Sequence, residues 1–168
     1  MLSISVRQAT LNDLLTVSGI LDEAASWLKQ RNIALWEKEE VSPEAIRQDV
    51  EAGLFYMAFV EDAPAGVVKF QLEDLMFWSD ISQEDSAFIH RLAVRRCFAG
   101  SNVSTELMKW AVKQSQDLGK RFLRLDCAAD RLRLRRVYEN FGFRHHSDRQ
   151  VGPYFIARYE YKIERQFL

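Results

Sequence analysis

Between Ala87 and Phe143 the hydrophobic period of the chain changes three times, with only short turns between the segments. Ala87–Val94 (AFIHRLAV) alternates as a strand does, and RRCFAGSN comes next as a turn. From Val103 the apolar residues recur at helical spacing through Leu107, Trp110, Ala111 and Leu118, and Gly119 stops the run. Arg121–Cys127 returns to a strand. Asp130 can then cap a helix that carries Leu134, Val137, Tyr138 and Phe141 and closes at Gly142. A chain that switches between strand and helix at this pace is committed to mixed α/β layers. Its central strand–turn–helix presents the free N–H groups of a helix N-terminus, a natural seat for a phosphate-bearing ligand.

The flanking segments extend the same pattern. Ser3–Ala9 alternates as a strand. Thr10 offers a cap with Asp13 three residues on, and Leu14, Val17, Leu21, Ala24 and Leu28 mark a helix to about Asn32. Ser42-Pro43 starts a second helix that ends near Gly53. Leu54–Val60 and Val67–Leu75 form a hairpin around a turn at 62–66, and 73–85 reads as an acidic, aromatic loop. The strands 143–147 and 154–163 close the chain, giving the order β-α-α-β-β-β-α-β-α-β-β. With 7 glycines and 3 prolines in 168 residues there is no linker, so one domain over 1–168 is expected. A net charge of −1 offers no field to attract nucleic acid or an anionic membrane, and no run approaches the ~18 apolar residues of a membrane span. MLSISVRQAT has no signal-peptide pattern, and Cys97 and Cys127 read as reduced core thiols, so a cytoplasmic location is expected.

The segment from the LAV strand end, through the RRCFAGSN loop, to the YENFGF helix resembles the core of the GNAT acetyltransferase superfamily, as found in small single-domain bacterial members. The stretch from Trp27-Leu28 to Trp36, and Phe77-Trp78, are similar to one bacterial subgroup. The resemblance implies a mixed central sheet with splayed central strands, helices on both faces, and acetyl-coenzyme A as co-substrate. It implies that the pantetheine arm takes main-chain bonds from Leu92, Ala93 and Val94. It also implies that the pyrophosphate rests on the loop of Ala99, Gly100, Ser101, Asn102, Val103 and Ser104. That loop departs from the family pattern: Ala99 stands where Arg or Gln is usual, Asn102 where a glycine is, and Ser104 where Gly or Ala is. Asn tolerates left-handed backbone and Ser104 is small, so the loop can still form. Tyr138 occupies the position from which a tyrosine often protonates the departing thiolate, and Arg131 the helix start that often touches the cofactor.

Each candidate also has a plain structural reading. Tyr138 lies on the apolar stripe of its helix and is either a core aromatic or the general acid. His90 is either a hydrogen-bonded sheet histidine or the base that strips the amine, since a group titrating near ~6.5 suits that task. On alternation it shares a face with Phe88, Leu92 and Val94, and Glu84 and Asp85 are alternative bases acting through water. Arg131–Arg136 reads as a solvated helix face, and His145-His146 lacks the partners of a metal site, so no metal is expected. Trp27, Trp36, Trp78 and Tyr154 read mostly as core aromatics. The expected chemistry is direct attack of an amine, on a small molecule or a protein, on the thioester. No covalent acetyl-enzyme is expected, since no base is assigned to Cys127. The alternative is an acyl-CoA-binding module without turnover. The acceptor would be shaped by the first two helices and by the loop 148–154, and a homodimer would form through the last strands.

Overall fold

The computed structural model describes residues 2–165. Among them lie β1 (Ile4–Gln8), α1 (Leu14–Lys29), α2 (Pro43–Glu51), β2 (Phe55–Val60), β3 (Ala63–Gln71), β4 (Ser86–Val94), α3 (Val103–Asp117), β5 (Phe122–Ala128), α4 (Leu132–Phe141), β6 (Arg144–Val151) and β7 (Tyr154–Lys162). The strands hydrogen-bond in the order β1-β2-β3-β4-β5-β7-β6. β4 and β5 pair in parallel, while β1–β2, β2–β3, β5–β7 and β6–β7 are antiparallel, so the sheet is mixed, as the element order requires. By contacts the residues fall into two compact units. One holds the chain up to Lys69 with Arg91–Met108, the other Phe70–His90 with the chain from Lys109.

In the first unit, Leu14, Val17, Ile20 and Leu21 of α1 pack in one buried cluster with Ile46 and Val50 of α2, Phe55 and Met57 of β2, Val67 of β3 and Ala93 of β4. Each such side chain taken fully out of water contributes about 1.5–3 kcal/mol, and this burial docks the helices. The Thr10–Asp13 capping box forms, but around a 3₁₀ turn, so α1 starts only at Leu14. The Arg7 guanidinium, 2.8 Å from Asp13, pulls that carboxyl down to about 2. α1 stops at Lys29 rather than Asn32, because Asn32 turns left-handed (φ 58°). The expected turn at 62–66 is shorter than its composition suggested. Glu61 takes φ 53°, and Pro64, Ala65 and Gly66 already belong to β3. An irregularity in register between Ala58 and Phe59, opposite Pro64, accommodates the proline.

In the second unit, Trp78 is fully buried, with the guanidinium carbons of Arg158 and Arg124 at 4.6 and 5.5 Å from its ring centroid. Both arginines are themselves buried and are balanced by carboxylates. Arg158 donates to Asp80 at 2.7 and 3.0 Å, and Arg124 to Glu160 at 3.1 Å. Arg158 also donates to Phe77 O (3.0 Å) and Ser147 Oγ (2.9 Å). The loop between β3 and β4 is therefore pinned down along its length. α4 begins at Leu132, with Arg131 rather than Asp130 at the cap position and no side-chain cap bond, because the Asp130 carbonyl is engaged by Leu132 N in the preceding turn. β6 runs on to Val151, so the connection to β7 is Gly152-Pro153 and not the wider loop 148–154. Gly152 supplies the positive φ (55°) that so short a turn needs.

Candidate active site

The parallel ladder between β4 and β5 spans three residue pairs and ends at Phe88↔Arg124. Three residues further along β4, Arg91 adopts φ 55°, a left-handed conformation inside a strand. Such a residue interrupts the two-residue period and re-aims the side chains after it. The expectation that Phe88, His90, Leu92 and Val94 share one face therefore fails beyond His90. After the break it is Ala93 that is buried, in the core with Met57 and Val67, while Leu92 and Val94 are half-exposed. Gly66 on β3 makes this possible: a Cβ there would lie 2.9 Å from Val103 Cγ1, 3.0 Å from Ala93 O and 3.2 Å from Leu107 Cδ1.

The loop after β4 starts with Arg95 N bonded to Ala65 O at 2.8 Å and a 3₁₀ turn at Arg96–Phe98. Arg96 is held by Glu23, which accepts from its backbone N–H, and by the Trp27 ring, whose centroid lies 3.7 Å from its guanidinium carbon. Gly100, with open space around it, takes φ 77°, so the glycine and not Asn102 provides the left-handed step. Ser101 Oγ donates to Phe98 O. The first helical bond of α3 is Glu106 N to Asn102 O, at 2.9 Å, which leaves the N–H groups of Val103, Ser104 and Thr105 with no carbonyl behind them within the helix. Ala99, Gly100, Ser101 and Asn102 are exposed, Ser104 is half-buried and Val103 is buried. Arg95 Nε is a buried donor without a partner among the described residues. Cys97, expected in the core, is exposed on this turn.

In the second unit, His90 meets two carboxylates. Its Nε2 lies 2.9 Å from Asp74 Oδ2, and the two side chains are 19% and 4% exposed. By distance this is an ion pair. By direction neither atom has a well-aligned hydrogen-bond partner. The distance is the quantity that matters for charge stabilisation, and such bonds commonly tighten only when substrate is bound. Asp126 on β5 completes the group: ligand atoms of Asp74, His90 and Asp126 lie within 4.8 Å of one another, a spacing that could also hold a metal ion. Trp78 Nε1 donates to Asp126 Oδ2 at 3.3 Å. Burial pushes the Asp74 carboxyl up, but His90 and the N–H groups of Phe77 and Met76 outweigh it and hold the group below its usual value. Burial pushes Asp126 up, and the charge of Asp74 adds to that, against the pull of His90. The Phe77 ring stands 6.4 Å from the His90 ring and 6.3 Å from that of Tyr154, with Leu75, Met76 and Phe155 exposed nearby in the chain.

Tyr138 is the buried residue of α4, at 6% exposure, held by an edge contact with Phe143 and a tilted one with Tyr159. Burial drives its phenol well above the ordinary tyrosine range, so it stays protonated at neutral pH. Cys127 on β5 is half-buried, and burial pushes its thiol up to about 11, the reverse of what a nucleophilic cysteine needs. Arg131 is half-buried, and its carbonyl accepts the α4 bond from Arg135 N at 3.0 Å. Asp85, an alternative base, faces Arg124 at 3.8 Å and Arg121 at 4.0 Å, and Glu84 is exposed. Asp85 and His90 lie five residue steps apart along extended chain, roughly 16 Å. His145 pairs with Asp148 at 2.8 Å, and His146 rests on Trp78.

Asp74 and Asp126 were not singled out from the sequence. Asp74 is one of several acids in a stretch that reads as loop. Asp126 did carry a signal, a carboxylate between Leu125 and Cys127 in a strand whose one other charged residue is Arg124, which calls for a specific partner.

The sequence model of the Acetyltransferase (GNAT) family matches residues 21–143. Among curated proteins, the uncharacterized N-acetyltransferase YesJ of Bacillus subtilis (strain 168) is 29% identical over 143 residues, 80% of this chain and 78% of that protein. Among solved structures, a GNAT-family acetyltransferase of Listeria monocytogenes 4b F2365 superposes with a TM-score of 0.76 at 24% identity, over 94% of each chain. The PaiA N-acetyltransferase of Thermoplasma acidophilum, solved in complex with coenzyme A, superposes with a TM-score of 0.73 at 20% identity, over 95% of this chain and 99% of that one. At these identities the two structures show the fold. No helix among the described residues is long and apolar enough to cross a membrane.

Proposed function

Since the chain belongs to the Acetyltransferase (GNAT) family and is an N-acetyltransferase, we propose that it passes the acetyl group of acetyl-coenzyme A directly to an amine, with His90 as base and Tyr138 beside the departing sulfur. The observation that carries this reading is the half-buried His90 imidazole set against a buried carboxylate, two residues past the end of the β4–β5 ladder. The PaiA neighbour holds coenzyme A. In this chain the loop Ala99–Ser104, at the start of α3, would take the pyrophosphate through the N–H groups that no carbonyl engages, with the half-buried Arg95 as a further donor. The main chain of Leu92, Ala93 and Val94 would take the pantetheine arm, and Arg131 would lie by the cofactor. We propose one acetyltransferase domain over 1–168, of which residues 1 and 166–168 lie outside the described residues. The unpaired Cys97 and Cys127 fit the reducing cytoplasm.

The ammonium of the acceptor gives one proton to His90. The neutral amine attacks the thioester carbon, and the C–S bond breaks. The second nitrogen proton ends on the sulfur, and His90 returns its own to solvent. The high pKa of Tyr138 suits a phenol that donates a hydrogen bond to the forming thiolate and relays that second proton, rather than one that ionises on its own. With its thiol at about 11, Cys127 has no part as a nucleophile, and no step needs a metal.

Two experiments run together test the reading: calorimetry of acetyl-coenzyme A binding, and release of free thiol in the presence of polyamines, amino acids and small aromatic amines. Binding with turnover supports the proposal. The departures of the loop at Ala99, Asn102 and Ser104 favour a second reading, a cofactor-binding module without turnover. Binding with no thiol release across the panel would establish that one, and absence of binding would sink both.

A further inference from the structure

We propose that Asp74 is the positioning residue of the base: its buried carboxylate orients the His90 ring and shares the charge that His90 acquires on taking the proton of the acceptor. This inference rests on the reading of His90 as the base.

Asp74 is built into its place by the loop that carries it. Its Oδ1 accepts from Phe77 N at 2.9 Å and from Met76 N at 3.1 Å, and its own N–H donates to Gln83 Oε1 at 2.7 Å. Gln83 in turn donates through Nε2 to Trp78 O at 2.8 Å, and Trp78 and Asp80 are locked by Arg158. These bonds use one carboxylate oxygen and leave Oδ2 at 2.9 Å from His90 Nε2, near enough for the two to align as the imidazole takes its proton. With Nε2 turned to a carboxylate, the neutral ring keeps its proton on Nε2 and its lone pair on Nδ1. Nδ1 is then the atom that accepts the amine proton.

The charges around His90 fit one role for each carboxylate. Among the described residues, the carboxylates grouped with it are Asp74 from the β3–β4 loop and Asp126 from β5, and Phe77 adds an uncharged ring. Two carboxylates this close do not both ionise easily. Burial favours the neutral form of Asp126, and the hydrogen bonds to Oδ1 favour the anion at Asp74. Asp74, held by two backbone N–H groups and 2.9 Å from Nε2, is therefore the better placed of the two to be the counter-charge for the imidazolium.

The test compares Asp74→Asn, His90→Gln and the double variant. Asp74→Asn can keep its oxygen on the Met76 and Phe77 N–H groups, which preserves the loop. Its amide would donate to Nε2, which moves the ring proton to Nδ1 and blocks the base. The expected result is a fall in kcat/KM of about 10²-fold, the scale for a misplaced catalytic group, carried by kcat, with acetyl-coenzyme A affinity unchanged. In the His90→Gln background the same change should do nothing further, and Asp74→Glu should restore part of the single-variant loss. An equal loss in the His90→Gln background would show that Asp74 acts independently of the histidine and would overturn the proposal. If His90→Gln alone leaves rate and limb unchanged, the base reading fails, and this one falls with it. Activity lost on dialysis against a chelator and restored by zinc would reassign the three groups to a metal, which also overturns it.

Discussion

Gly66→Ala is a small change with a large expected effect. The new methyl would sit 2.9 Å from Val103 Cγ1, 3.0 Å from Ala93 O and 3.2 Å from Leu107 Cδ1. The first and third neighbours are side chains with little room, since Val103 and Leu107 are fully buried. The second is a backbone oxygen that can move only with β4. Forcing a methyl into a filled site costs about 1–3 kcal/mol. The stiffer unfolded chain returns about 0.4–1 kcal/mol, so a net loss of about 1–2 kcal/mol is expected. For a chain of this size that lowers Tm by about 2–8 °C. The two residues pushed aside, Ala93 and Val103, also flank the loop assigned to the pyrophosphate, so acetyl-coenzyme A should bind more weakly as well. Urea denaturation monitored by circular dichroism measures the first effect and calorimetry the second. Gly19→Ala is the control: it lies inside α1, its Cβ would meet nothing within 4 Å, and it should stabilise by up to about 1 kcal/mol without touching cofactor affinity. A Gly66→Ala protein with the parental midpoint and affinity would refute the packing argument.

Two further substitutions separate cofactor binding from chemistry. Ser104→Tyr places a bulky group in the first turn of α3, and calorimetry should show strongly weakened acetyl-coenzyme A binding in a well-folded protein. Unchanged affinity would put the pyrophosphate elsewhere. Tyr138→Phe should lower kcat by about 10²–10⁴-fold with little change in cofactor affinity, whereas parental turnover would make Tyr138 a packing residue only.

The mixed α/β order and the strand–turn–helix around Gly100 were legible because hydrophobic period and glycine placement are local signals. The misread features depended on partners distant in sequence. Pro64 to Gly66 have turn composition, yet they lie in β3, because the register irregularity near Phe59 accommodates the proline and only a glycine fits beneath Val103 and Ala93. Alternation along β4 fails at Arg91, a residue type that gives no hint of positive φ. Cys97 is followed by apolar Phe98 and Ala99 and is nevertheless exposed, since the 3₁₀ turn faces it outward. The sequence offers Glu84 and Asp85 as alternative bases and gives no carboxylate partner for His90. The loop folds back through Trp78, Asp80 and Gln83 and brings Asp74 instead, sixteen residues upstream of His90.

The most direct measurement of the central claim is the pH dependence of kcat/KM for the parent and for His90→Gln with one working acceptor. A base must be unprotonated to act, so the rate should rise with pH along an acid limb. Glutamine keeps much of the shape of histidine and cannot titrate. The account predicts that His90→Gln loses this acid limb, or shifts it to the pKa of the acceptor amine, and turns over more slowly. The same limb at the same rate in both proteins would contradict it.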